Sequence, residues 1–217
     1  MFDVLTAATA LAFLAPAVPS PPPAAADTAA GDYVLDGGAA SLVVQLPRVA
    51  GFPGPILRLT RLEGRLRYDP QNWSATSVTI SADPRSIQTS GGPVARRAKA
   101  QFEPDRFPTI VFTSTSIKWG EGDRGEAIGQ LTFHGVTRPL ILHVMLQESS
   151  RTGAASEARL SFSGRGRVMR SQFGLHDGFP LVGDAVDLVF NVEFVKHTAG
   201  EAMRWGPALA SRRRPTG

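Results

Sequence analysis

A chain of 217 residues, 42% apolar and 19% charged, is long and apolar enough for one substantial buried core. It contains no cysteine, which excludes disulfides, thiolate metal sites, a cysteine nucleophile and a lipid-modified cysteine anchor. Its net charge of +4 rests on arginines scattered along the chain, clustered only at Arg96-Arg97 and in the tail SRRRPTG, so a solvated surface is expected and a nucleic-acid partner is not.

Residues 1–30 read as a leader. The apolar run from Val4 to Val18 is short for a membrane span and leads into Pro/Ala-rich sequence, where Ala24-Ala25-Ala26 or Ala29-Ala30 would suit signal cleavage. Asp3 stands where a positive region is usual, so the competing reading is a disordered extension. Export to the periplasm or outside the cell is the expectation carried forward.

Residues 31–197 follow a period of two, the signature of strands with one buried face. SLVVQL puts Leu42, Val44 and Leu46 on one side; GRLRY puts Leu66 and Tyr68 opposite Arg65 and Arg67. SVTISA offers Val78 and Ile80, TIVFTSTSI offers Ile110 and Phe112, and GQLTFH offers Leu131 and Phe133. PLILHVML offers Leu140, Leu142, Val144 and Leu146, and AVDLVFNVEFV offers Val186, Leu188, Phe190, Val192 and Phe194. With LSFSGRGRVM these make about eight strands, joined by segments such as GEGDRG and HDGFPLVGD, with one short helix expected near Val94–Gln101. The pattern predicts an all-β, antiparallel barrel or sandwich. Residues 198–217 form a basic tail, expected to be disordered, for which contact with a membrane surface stays open.

In LSFSGRGRVM the inward positions are Phe162, Gly164, Gly166 and Val168. Two inward glycines mark a bend, or a place where something approaches the backbone closely. A barrel corner and clearance for a ligand are both compatible with them.

Catalytic and metal-binding patterns are scarce. The four histidines, His134, His143, His176 and His197, make no H-x-H or H-E-x-x-H, and there is no G-x-S-x-G or Walker-type glycine loop. GEGDRG matches G-x-G-x-x-G by letter, but a strand pattern follows at once and its carboxylates would repel phosphate, so a hairpin is expected. Asp184 and Asp187 read as solvated strand-end carboxylates. His134 lies in FHGVTRPL, where Gly135 allows positive φ and Pro139 is expected to open the next strand. It reads as a hydrogen-bonding turn residue, with a polar place at a pocket mouth as the alternative.

FPTIVFTSTSIKW, GQLTFHGVTRPLILHV, RSQFGL and LVGDAVDLVFNVEFV follow one another as in the YceI-like, polyisoprenoid-binding proteins, which this chain resembles over Tyr33 to Lys196. The resemblance implies a single antiparallel eight-stranded, lipocalin-like barrel whose lumen takes a long-chain isoprenoid or similar lipid. It implies no cofactor, no metal and no enzymatic activity, and it is compatible with a homodimer. The candidate lining is Leu42, Val44, Phe112, Leu131, Phe133, Leu142, Val144, Phe162, Leu188 and Phe190, with Gly164 and Gly166 supplying room. Ordinary core packing is the competing reading for each of these. Relatives carry histidines around the first strand, where Ala39 and Arg48 stand here, and an aspartate and a histidine before the FP pair, where Pro93 and Ala95 stand. Arg96, Arg97 and His134 are the remaining candidates for a pocket mouth. The rival functions are a barrel filled by its own side chains that acts through its surface, and a lipid- or quinone-modifying enzyme with His134 or His176 as base.

Overall fold

The structure, a computed structural model, describes residues 30–47, 52–89, 92–120, 122–151, 158–176 and 183–197. The basic tail and all of the leader but Ala30 lie outside the described residues, as does most of HDGFPLVGD.

The strands are β1 (Gly31–Leu35), β2 (Ser41–Gln45), β3 (Ile56–Leu59), β4 (Leu62–Tyr68), β5 (Ser77–Ala82), β6 (Ile110–Trp119), β7 (Arg124–Phe133), β8 (Val136–Arg151), β9 (Ala158–Met169) and β10 (Ala185–Lys196). All pair antiparallel, each with its neighbour in the wall. β1 lies on the last part of β10, with Tyr33 opposite Lys196, and β2 lies on an earlier part, with Leu42 opposite Phe190. β4 pairs with β1 and β3 with β2. The first two positions of the wall are therefore each filled by two short strands, and the ring closes as an eight-stranded barrel.

β1 and β3 were not among the strands read from the sequence. They exist because both opening strands are broken. At the first break, Gly38 N donates to Asp36 Oδ1 (2.9 Å) and Ala39 N to the Asp36 carbonyl (3.1 Å), forming a local turn. At the second, the amides of Thr60 and Arg61 both donate to Ser86 Oγ, at 3.2 and 3.1 Å. The far edge of β3 meets Gln88, which exchanges backbone hydrogen bonds with Arg58 (2.9 and 2.8 Å) as an isolated bridge.

The helix α1 (Pro93–Ala100) falls within a residue of its expected place. Pro93 opens it, Ala95 and Ala98 bury one side, and Lys99 Nζ donates to the Ile87 carbonyl at 2.6 Å. One detail differs from expectation. Pro139 does not open β8, which begins at Val136; it sits inside the strand, opposite Gln130. β9 joins β8 only from Leu142 onward, so the missing N–H of Pro139 falls where that edge has no partner strand.

The wall alternates as the sequence requires, and its inward side chains form one core from Tyr33 to Phe194. A bulge between Ser114 and Ser116 shifts the alternation of β6 by one residue. Phe112 and Trp119 are therefore both buried, although strict alternation would turn one of them outward. The amide of Val78 donates to Ser114 Oγ at 2.8 Å beside that bulge.

Candidate functional site

Inside the ring are two small chambers of about 60 and 80 Å³. Ile80, Phe112, Leu142, Phe190 and Val192 line both, and so form a waist between them. The larger chamber is completed by aliphatic side chains such as Leu42, Leu62, Leu131 and Leu188. The smaller is completed by Val144, Phe162 and an aromatic group, Tyr68, Trp73 and Trp119. Among the described residues neither lining includes a charged one.

Both ends of the barrel are plugged by aromatic rings. At one end Trp73 stacks on Trp119 with centroids 4.8 Å apart, Tyr68 meets Trp73 edge-on at 5.7 Å, and Tyr33 meets Tyr68 at 6.0 Å. Burial, with smaller effects from Tyr33 and Asp69, pushes the Tyr68 hydroxyl far above its usual pKa, so it stays a neutral phenol. Most polar atoms at this end are satisfied. Trp119 Nε1 donates to the Gly122 carbonyl (3.0 Å), and Thr76 Oγ1 accepts from Asp69 N (3.1 Å) and donates to the Asp69 carbonyl (3.3 Å). Trp73 Nε1 is buried with no hydrogen-bond partner, the one such side-chain atom among the described residues. An unmet buried donor costs about 1–3 kcal/mol.

At the other end Phe133 packs against Phe102 (5.1 Å) and Phe173 (5.6 Å), and His134 packs on Phe107 (4.2 Å). His134 and Gly135 are the two-residue loop between β7 and β8, with φ of 52° and 74°. Both central residues of a type I′ hairpin need positive φ, which suits this pair. His134 Nδ1 lies 3.2 Å from the Phe173 carbonyl and its Nε2 lies 3.3 Å from Glu103 Oε1.

The candidate lining residues divide. Leu42, Phe112, Leu131, Leu142, Val144, Phe162, Leu188 and Phe190 face one or both chambers. Val44 and Phe133 are buried in the core but border neither. Gly164 and Gly166 also border neither, because side chains fill the space above them. A Cβ on Gly164 would strike the Phe190 ring and stand 2.6 Å from the His143 carbonyl, and one on Gly166 would stand 2.6 Å from Leu142 Cδ2. Arg96 and Arg97 are exposed on α1 and line neither chamber. Sequence reasoning missed Trp73, which lies in a single 3₁₀ turn, Trp73–Ala75, where no periodicity could flag it. It also missed Trp119, hidden by the bulge.

The YceI-like domain model matches residues 33–194, which is most of the chain and nearly all of the barrel. The chain belongs to the YceI-like family. A UPF0312 protein of Vibrio cholerae serotype O1 is 27% identical over 173 residues, covering 77% of this chain and 88% of its own. Among solved structures, Burkholderia cenocepacia BcnA aligns with a TM-score of 0.60 at 18% identity, over 73% of this chain and 98% of that one. A polyisoprenoid binding domain from Saccharophagus degradans, implicated in plant cell wall breakdown, aligns with a TM-score of 0.57 at 14% identity, over 76% and 98%.

In this YceI-like barrel the motifs that carried the resemblance hold one corner together. Arg170 of RSQFGL is only 5% exposed; its Nε donates to the Gly183 carbonyl (2.9 Å) and its guanidinium to the Leu175 carbonyl (3.0 Å). Asp184 of LVGD accepts from the amide (2.8 Å) and hydroxyl (2.6 Å) of Ser171. Chiefly through the Ser171 hydroxyl, this holds the Asp184 carboxyl below its ordinary pKa. His134 of HGVTRPL ties the same corner through Phe173. These are contacts that build the fold, and none of these residues lines a chamber.

Proposed function

We propose that this YceI-like chain is an exported binding protein that holds an apolar chain molecule, of the isoprenoid class, in its lumen. The observation that carries the reading is the pair of apolar chambers joined through one waist inside a closed wall. Burying hydrocarbon there would be worth about 25 cal/mol per Å² removed from water, without chemical specificity. The binding domain of Saccharophagus degradans supports the ligand class, and the Pro/Ala-rich leader supports export.

A binder is favoured over a catalyst because His134 is engaged in its turn and, among the described residues, no histidine or carboxylate faces the chambers. The second reading, a filled barrel working through its surface, is favoured by the chamber volumes. At about 60 and 80 Å³ each is smaller than an engineered apolar cavity of ~150 Å³ that takes benzene. A long chain therefore requires the waist rings, Phe112 and Phe190, to turn aside.

Mass spectrometry of an organic extract from protein purified without detergent from its native host tests this. A stoichiometric isoprenoid is the expected result. A clean extract from folded protein would favour the filled barrel.

A further inference from the structure

The exposed apolar side chains are not spread evenly over the barrel. Seven large ones occur among the described residues, and four of them, Phe52, Ile56, Met169 and Val189, fall on one side. Val189 stands opposite Val43 across β10 and β2, and this pair is flanked by Arg165 on β9 and Arg58 on β3. One row nearer the His134 end, Arg167, Asp187, Gln45 and Ile56 stand side by side on the same four strands. Met169 ends β9 two residues beyond Arg167, and Phe52 lies on the loop that joins β2 to β3. The strand residues face outward, since Leu57 and Leu59 beside Arg58 are fully buried and Leu42 and Leu188 line the larger chamber. Phe52 is 74% exposed, Ile56 51% and Val189 46%. Single exposed apolar residues are ordinary, but a contiguous group rimmed by polar ones marks a contact surface.

The patch is also positive. Arg58 and Arg165 have no ion pair among the described residues, and the carboxylate in these rows, Asp187, is held by Arg167 Nε at 2.6 Å. Toward the other end the next row is Ser163, Asn191 and Ser41, so the patch stops there.

We propose that this face, the β2–β3 hairpin with the adjoining outer side of β10 and β9, docks the protein on an anionic lipid bilayer. Phe52 and Ile56 enter the boundary between headgroups and acyl chains, while Arg58 and Arg165 meet lipid phosphates. Charge selects a bilayer over a second copy of the chain. A two-fold contact would bring the same unpaired arginines together, with no free carboxylate in the patch to receive them. Extent points the same way. Four strands and three rows cover roughly 300 Å² at ordinary sheet spacings, well below the ~800 Å² per partner of a stable protein complex. The bilayer would lie against the outside of the larger chamber, whose wall includes Leu42 and Leu188. Docking goes beyond the lumen reading and does not depend on what the lumen holds.

Flotation of the full chain with vesicles of phosphatidylcholine, alone or mixed with phosphatidylglycerol, tests this without any isoprenoid. Binding is expected with the mixed vesicles, weakening as salt rises, and little is expected with phosphatidylcholine alone. Phe52→Ser with Ile56→Ser, and separately Arg58→Gln with Arg165→Gln, are each expected to weaken binding about tenfold. The leader and the basic tail are present in every protein, so equal binding by wild type and variants would assign it to them and overturn the proposal. A wild type that leaves the mixed vesicles unbound also overturns it. So does a wild-type dimer in sedimentation that Phe52→Ser with Ile56→Ser splits, because the face would then join two copies. Should a double variant fail to fold, a fluorescent label decides the matter. The chain has no cysteine, so Phe52→Cys carrying nitrobenzoxadiazole reports on that position alone. Its emission is expected to shift to the blue on the mixed vesicles. The same label at Gln130→Cys, exposed on β7 at the far side of the ring, is expected not to shift. An unshifted label at Phe52, or equal shifts at both positions, overturns the proposal.

Discussion

His134 and Glu103 both hold left-handed backbone, with φ of 52° and 40°, and their side chains meet at 3.3 Å. They are the two non-glycine residues with positive φ among the described residues, and each helps to hold the other's loop in place. Left-handed φ is costly for a residue with a Cβ, so their contact offsets strain on both sides of the barrel mouth.

Replacing His134 by alanine keeps the backbone strain and removes its contacts with Phe173, Glu103 and Phe107. A loss of about 1–2 kcal/mol is expected. His134→Gly should lose less, because glycine adopts that φ freely. Urea unfolding of the three proteins measures the difference; an alanine variant as stable as the wild type would show that the contact holds nothing.

Alanine at Gly164 or Gly166 places a methyl against Phe190 or Leu142, in walls that close off the lumen. Overpacking of this kind costs about 1–3 kcal/mol. Thermal unfolding should show both variants below the wild type, and unchanged melting would mean the two side chains move aside freely.

Phe190→Ala acts on the waist. It should cost about 3–5 kcal/mol, as large aromatic truncations in cores do. It should also join the two chambers, so that benzene raises the melting temperature of the variant more than that of the wild type, through ligand linkage. Equal shifts would mean that the waist collapses instead of opening.

Asp184 gives a pH dependence of known sign. Its folded pKa lies below the ordinary 3.8, so its contribution to stability is complete above that value and is lost as the pH falls through the folded pKa. At neutral pH, Asp184→Ala should destabilise by about 1 kcal/mol through the lost Ser171 contacts. The gap between variant and wild type should narrow in acid below pH 3.8. Acid titrations of unfolding that run parallel for the two proteins would contradict this.

The sequence made the wall legible because alternation is a local signal. Leu66 with Tyr68, and Val186 through Phe194, turn inward as their period of two demands. It was silent where geometry departs from that period. The breaks at Asp36 and Thr60 divide two strands, the bulge near Ser114 brings Trp119 inside, and the 3₁₀ turn carries Trp73. The site was legible in part for the same reason. Phe112 and Leu142 sit in regular strands and face the chambers, whereas the inward glycines mark room already occupied by Phe190 and Leu142.

The barrel wall also has a weak place. Where β3 should continue the ladder toward β5, the one β-bridge among the described residues is Arg58–Gln88, followed by the bonds of Thr60 and Arg61 to Ser86 and Asp83, with α1 and its flanking turns laid beside it. A ladder of many hydrogen bonds opens only with most of the fold, whereas a single bridge can open alone at small free-energy cost. Amide hydrogens of Arg58 and Gln88 should therefore exchange with solvent far sooner than those of β9 and β10. The ring would then breathe on that side, over the end that holds the larger chamber, while the rest of the wall stays closed.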